Sequence, residues 1–148
     1  MTGRFGLSIR ATESRDAPGL AALFEAAGLA VSTAQATARL ADLQAEAGSV
    51  LIADEWGPPS GVIALHWHTV LTSAYMVAFV STLCVDPERR RSGVARLLLK
   101  AGAQAARAAG CGDLVIAAEP DSSTYAFGVA TGFSAVGSQL HRSLRKRG

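Results

Sequence analysis

The sequence is poor in cysteine, with two in 148 residues: Cys84 in an apolar stretch and Cys111 in an expected loop. They have no metal-ligand spacing, so no metal is expected and a reduced, cytoplasmic setting is. No apolar run approaches the roughly 20 residues of a membrane span, and the first ten residues lack a signal peptide's apolar segment, so no membrane partner is expected. Charge is also sparse. Charged residues make up 18% and the formal net charge is +2, too little to imply nucleic acid. The basic residues cluster at Arg89-Arg90-Arg91 and in a tail of Arg142, Arg145, Lys146 and Arg147, which reads as a solvated end. Neither the Gly-x-x-x-x-Gly-Lys-Ser/Thr loop nor the Gly-x-Gly-x-x-Gly fingerprint occurs. Repeats, linkers and low-complexity segments are missing too. With 49% hydrophobic residues, the chain is long enough to bury a core as one domain, 1–148.

What is present reads as strands interleaved with helices. Residues 7–11 form a short strand. Asp16 and Pro18 stand at a helix N-cap and first turn, Leu20, Leu23 and Phe24 supply the apolar stripe, and Gly28 ends it. Ser32-Thr33-Ala34-Gln35 has capping-box spacing and opens a second helix to about Glu46, stopped by Gly48. Residues 50–53 form a strand and 57–61 a turn, and 61–70 and 76–85 are antiparallel strands. A helix over 93–109 stops at Gly110, and 114–118 is a short apolar strand of the kind buried in parallel pairing. A helix over 122–131 ends at Gly132-Phe133, and the last strand lies within 134–144. The expected class is α/β (α+β), a mixed central sheet in the order β-α-α-β-β-β-α-β-α-β.

One stretch carries recognisable chemistry. The run Phe79–Val85 is rich in β-branched residues and is ended by Pro87. Three arginines and a serine follow, then a helix with apolar residues at Val94, Leu97, Leu98, Ala101, Ala105 and Ala108. The first turn of that helix has N–H groups without intrahelical partners and the positive end of the dipole. Small residues at Ser92, Gly93 and Ala95 let a bulky anion approach those donors, which makes a phosphate cradle of backbone. The arginine triplet beside it suits a phosphorylated ligand. Alternatively, Gly93 and Ala95 serve only close helix–strand packing.

The order Arg90-Arg91-Ser92-Gly93-Val94-Ala95 resembles the acyl-CoA-binding motif Arg/Gln-x-x-Gly-x-Gly/Ala of the GCN5-related N-acetyltransferase (GNAT) family. Val-Asp-Pro-Glu at 85–88, Leu97-Leu98 and Gly132-Phe133 are also similar to the family. The resemblance implies acetyl-CoA bound in a gap between two splayed parallel strands, here 76–85 and 113–118. It implies that Leu83, Cys84 and Val85 pair with the pantetheine arm. Arg90, Arg91, Ser92, Gly93, Val94, Ala95 and Arg96 would then meet the pyrophosphate, and Asp121 would cap the late helix and face the pantetheine. The Val85 N–H is the candidate for polarising the thioester carbonyl. The implied activity is acetyl transfer to an amine by direct attack, with a small-molecule or peptide acceptor. The alternative is a coenzyme-A-binding module with lost catalysis, acting as a sensor or interaction protein. Homodimers are common in the family, so a second copy also stands among the implied partners.

The sequence departs from the family at its usual catalytic side chains. No Asp or Glu lies anywhere in 76–85, where Ser81 and Thr82 hold the usual carboxylate positions. Gly128 stands four residues before Gly132, where a tyrosine acting on the coenzyme sulfur is common, and Tyr125, one turn earlier, is the candidate whose ring would reach the same gap. His66 and His68, two apart on a strand, share one face and are the best remaining titratable groups. Each reads as a base, direct or through water, or as a residue of the sheet's solvent face; a zinc pair lacks a third ligand. Glu119 is another candidate base or a loop carboxylate, and Cys84 reads as strand packing rather than an acyl carrier. Deprotonating a lysine-like amine at neutral pH costs about 4.6 kcal/mol, against about 1.4 kcal/mol for an α-amine. A site without a strong base therefore suits the α-amine.

Overall fold

Five strands lie side by side in chain order: β1 (Ser8–Ala11), β2 (Gly48–Asp54), β3 (Gly61–His68), β4 (Met76–Val85) and β5 (Cys111–Ile116). The first four are antiparallel neighbours and β5 joins β4 in parallel. A parallel neighbour needs a crossover, and α3 (Val94–Ala108) supplies it. This is a computed structural model and describes residues 7–90 and 92–145; Arg91 and the tail residues Lys146 and Arg147 lie outside that range. The chain divides into two units, one ending at Ile116 and one beginning at Ala117.

In the first unit the sheet is covered on both faces. On one face α1 (Ala17–Ala26) and α2 (Thr33–Ala45) pack Leu20, Leu23, Ala36 and Leu40 against Ile52, Val62 and Cys84. Ser32 caps α2 by accepting the Gln35 N–H at 3.0 Å, as the capping-box spacing predicts. Asp16 precedes α1 but is committed elsewhere: it takes both Arg10 Nη atoms at 2.8 and 2.9 Å, while Arg10 Nε reaches Asp54 at 2.9 Å. On the other face α3 lies directly on β3. A Cβ at Gly61 would stand 2.8 Å from Leu98 Cδ1 and 2.9 Å from Val94 Cγ1, and one at Gly102 would stand 2.9 Å from Leu65 Cδ1. Close packing therefore belongs to Gly61 and Gly102. The buried stripe of α3 is Val94, Leu98, Leu99, Gly102 and Ala106: Val94 and Leu98 are as expected, while the other expected positions give way to their neighbours because the closest approach is a glycine that hydropathy does not flag.

β5 begins at Cys111, which is strand rather than loop, and β3 ends at His68 rather than at 70. In the second unit α4 (Ser123–Ala130) is capped by Ser122, whose Oγ accepts the Tyr125 N–H at 3.1 Å. Asp121, at φ +66°, is one residue too early to be the cap. The expected last strand does not form among the described residues. Val136, Leu140 and Leu144 alternate with Ser138 and Arg142 along one strand face and are 83–94% exposed, and Gly137 turns the backbone to φ +68°.

Candidate active site

β4 outruns its parallel neighbour. Its pairing with β5 stops at Val80↔Ile116, while β4 continues to Val85. The last five residues are held on the β3 side alone. There the Asp86 N–H donates to the Ser60 carbonyl at 2.9 Å, one step beyond the Val85↔Gly61 pair. Antiparallel ladders alternate, so Cys84 is hydrogen-bonded to Val62, whereas Leu83 and Val85 turn their N–H and C=O groups to the side β5 has left. Of the three strand residues expected to meet the ligand, two offer backbone and Cys84 does not. The Cys84 thiol is buried, and burial pushes its pKa up against the pull of the nearby Arg90 charge, as suits an inert packing thiol.

This open edge leads into the start of α3. Asp86 accepts the Glu88 N–H at 3.0 Å and begins a 3₁₀ turn, Pro87–Arg89. The Ser92 hydroxyl donates to the Arg89 carbonyl. Gly93 then takes the N-cap of α3 at φ +87°, a left-handed backbone with no side-chain cap, and nothing lies within 4 Å of where its Cβ would be. The first N–H groups of α3 thus have neither an intrahelical partner nor a side-chain cap, and the positive helix end lies behind them. Val94 is buried in the core and offers only its N–H, Ala95 is half-buried, and Arg90 and Arg96 are exposed cations. Arg89 is not free to join them. Its Nη2 lies 2.5 Å from Glu55 Oε1, on a side chain only 9% exposed; that oxygen has no aligned hydrogen bond, so the contact is a charge pair.

The other end of the open edge is a β-bulge. Leu65 pairs with Val80 but Ala64 with Thr82, leaving Ser81 as an extra residue on β4. Ser81, two residues after Phe79, the partner of His66, lies on the face of His66, and the bulge brings Thr82 and Cys84 to that same face. Ser81 Oγ lies 2.6 Å from His66 Nε2 and 3.4 Å from the Ala64 carbonyl. On the far side of the ring, His66 Nδ1 is 3.5 Å from Oε2 of Glu46, the residue that ends α2. His66 therefore lies on the helix-covered face, just past the α1–α2 core, and not on a solvent face. His68 is exposed, opposite Val77, two residues farther from the bulge. Sequence reasoning named His66 but missed Glu46 and Ser81 as its partners. Among the described residues no group of three or more His, Cys, Asp or Glu could hold a metal ion.

Tyr125, Asp121 and Glu119 belong to the second unit, and the Glu119 carbonyl there accepts the Ser122 hydroxyl at 2.6 Å. Gly128 is roofed by Phe133, whose Cβ would stand 3.7 Å from an added methyl and whose N–H donates to the Gly128 carbonyl at 2.9 Å. Back in the first unit, a groove of about 490 Å³ lined by Arg10, Asp16, Pro18, Asp54 and Pro59 has its charges satisfied by one another. No helix among the described residues is long and apolar enough to cross a membrane.

Comparison with known proteins accords with this geometry. Residues 19–133 match the model of the acetyltransferase (GNAT) family. No curated protein matches the chain. Among solved structures, a transcriptional regulator from Bacillus halodurans aligns at a TM-score of 0.83 with 13% identity, covering 93% of this chain and 99% of that one. Glucosamine-6-phosphate N-acetyltransferase from Arabidopsis thaliana aligns at 0.79 with 14% identity, over 94% and 99%. An aminoglycoside acetyltransferase from an uncultured soil metagenomic sample, in complex with sisomicin, aligns at 0.77 with 21% identity, over 95% and 97%. At these identities the likeness is one of fold. The family match, spanning most of the chain, carries the assignment: the protein belongs to the GNAT acetyltransferase family.

Proposed function

We propose that the protein transfers an acetyl group from acetyl-CoA to the primary amine of a small molecule or peptide, by direct attack in a ternary complex. One observation carries the reading: β4 runs five residues past β5, and its free Leu83 and Val85 backbone leads to the N–H groups that open α3. A pantetheine arm has amides that can pair with such an edge as an added strand, and a diphosphate suits a helix N-terminus flanked by Arg90 and Arg96. Bound there, acetyl-CoA supplies an acyl group on a thiolate leaving group. The chain's own residues orient it, polarise its carbonyl and remove a proton from the amine.

Two candidate roles compete for one reacting carbon. Ser81, which touches His66, is four residues from Val85, about 13 Å along a strand, but only two from Leu83, about 7 Å. We therefore assign the polarising donor to the Leu83 N–H and leave Val85 to hold the pantetheine. His66 is the base in preference to His68, which lies farther from the bulge. Two of the structural neighbours are named for glucosamine-6-phosphate and aminoglycosides, both small amines, which supports a small acceptor.

The test is thiol release from acetyl-CoA against aminoglycosides, amino sugars, peptides with a free α-amine and lysine peptides. Release is expected with the α-amines and amino sugars, and His66→Ala is expected to lower it. A clear preference for lysine ε-amines contradicts the acceptor class. Tight acetyl-CoA binding without release across the panel favours the second reading, a coenzyme-A-binding sensor. The roofed Gly128 and the carboxylate-free β4 speak for that reading.

A further inference from the structure

We infer that Glu46, His66 and Ser81 act as one proton-withdrawing relay for this transfer, in which Ser81 meets the acceptor amine, His66 takes the proton and Glu46 is the positioning residue. The inference rests on the acetyl-transfer reading above and adds the path by which the proton leaves. Ser81 Oγ is 2.6 Å from His66 Nε2, and His66 Nδ1 is 3.5 Å from Glu46 Oε2, so a hydroxyl and a carboxylate stand beside the two ring nitrogens.

The carboxylate decides the tautomer. Glu46 is an acceptor only, so the ring is stabilised with its proton on Nδ1, which leaves the Nε2 lone pair for the Ser81 hydroxyl. A neutral histidine with the opposite tautomer would set a lone pair against the Glu46 charge. The arrangement is built into the backbone at both ends. Ser81 is the unpaired residue of the β-bulge and stands two residues after Phe79, the strand partner of His66, so its side chain lies on the His66 face. Glu46 arrives because the α2–β2 connection is pressed onto β3. The Trp67 N–H donates to the Ala47 carbonyl at 3.2 Å, and a Cβ at Gly48 would fall 2.2 Å from the Leu65 carbonyl oxygen. Only glycine allows that approach.

In the transfer step the nitrogen–carbon bond forms as the carbon–sulfur bond breaks, with its electron pair leaving on sulfur. The amine's proton passes to Ser81 Oγ as Ser81's own proton passes to His66 Nε2. The departing thiolate takes the proton back from His66, which resets the relay. The Glu46 charge stabilises the imidazolium in between.

The experiment measures kcat and KM for acetyl-CoA and a lysine-free peptide with a free α-amine, in wild type, Ser81→Ala, Glu46→Ala and Glu46→Gln. Ring ¹⁵N signals of His66 are recorded in parallel. Both residues are exposed, so the variants are expected to fold. Ser81→Ala is expected to lower kcat about 10- to 100-fold with KM for acetyl-CoA unchanged. Glu46→Ala is expected to lower kcat about fivefold, as for an exposed charge pair, and to move the His66 proton from Nδ1 to Nε2. Glu46→Gln retains an oxygen acceptor and is expected to keep the Nδ1–H tautomer. Wild-type kcat in both alanine variants overturns the relay and leaves acetyl transfer standing. An acetyl group on Ser81 after incubation with acetyl-CoA alone also overturns it, since Ser81 would then be a nucleophile. Absence of wild-type turnover on every amine overturns the reading beneath it.

Discussion

Replacing Gly93 by alanine separates the two things that residue does. Its φ of +87° lies in the left-handed region, where an L-residue costs about 1–2 kcal/mol. Nothing stands within 4 Å of the added methyl, so no steric cost in the folded protein is added to the backbone one. Alanine also restricts the unfolded chain, which returns about 0.4–1 kcal/mol. The net loss is therefore about 1 kcal/mol, or about 2–4 °C in Tm for a chain of this size. Asparagine tolerates the left-handed region better, so Gly93→Asn is expected to cost less stability while placing a larger group in the same open space. Acetyl-CoA affinity, read by calorimetry, should fall about tenfold or more in both variants, which is about 1.4 kcal/mol. Stability thus separates the two variants, while affinity falls in both. Losses of stability in that order, with acetyl-CoA affinity unchanged in both, would refute the phosphate cradle.

Two further outcomes concern the charges around the site. Arg89→Ala is expected to cost about 2–3 kcal/mol in urea unfolding, more than Glu55→Gln, because it leaves a carboxylate that is only 9% exposed without its cation; equal costs would mean the carboxylate is solvated. Arg10 holds the Asp16 carboxyl below its ordinary range, so Asp16 contributes stability that is present above the ordinary carboxylate pKa and lost as pH falls through the lower folded value. Asp16→Asn should lower stability at neutral pH by about 1.5–3 kcal/mol and flatten its decline below about pH 4; an unchanged acid limb would rule out that role.

Much of this fold was legible in the sequence because its signals are local. Ser32 with Gln35, Pro18 near Asp16 and Gly110 after α3 mark helix ends through groups only a few residues apart. The motif over 90–95 was legible for the same reason, since strand, turn and helix start are consecutive. The base was harder to read. Alternation puts Ser81 on the face of Phe79, but that His66 stands opposite Phe79, and so beside Ser81, depends on the β3–β4 register. Glu46 meets His66 across 20 positions of sequence through the close approach at Gly48. The stripe of α3 is legible at Val94 and Leu98 and departs from the expected one beyond them because Gly102, its closest contact, has no hydropathy to count. The expected last strand lacks a continuous apolar face: Val136, Leu140 and Leu144 share a strand face, but Ser138 and Arg142 stand between them on it.

The claim at the centre of this account is that the unpaired end of β4 and the start of α3 together receive acetyl-CoA. Amide hydrogen exchange resolved by residue, with and without acetyl-CoA, tests it most directly. Leu83, Val85 and the amides from Gly93 to Arg96 should gain protection, while Cys84 and Val62, already paired with each other, should not change. Protection that leaves Leu83 and Val85 untouched, or that centres on the Arg10–Asp54 groove, would contradict it.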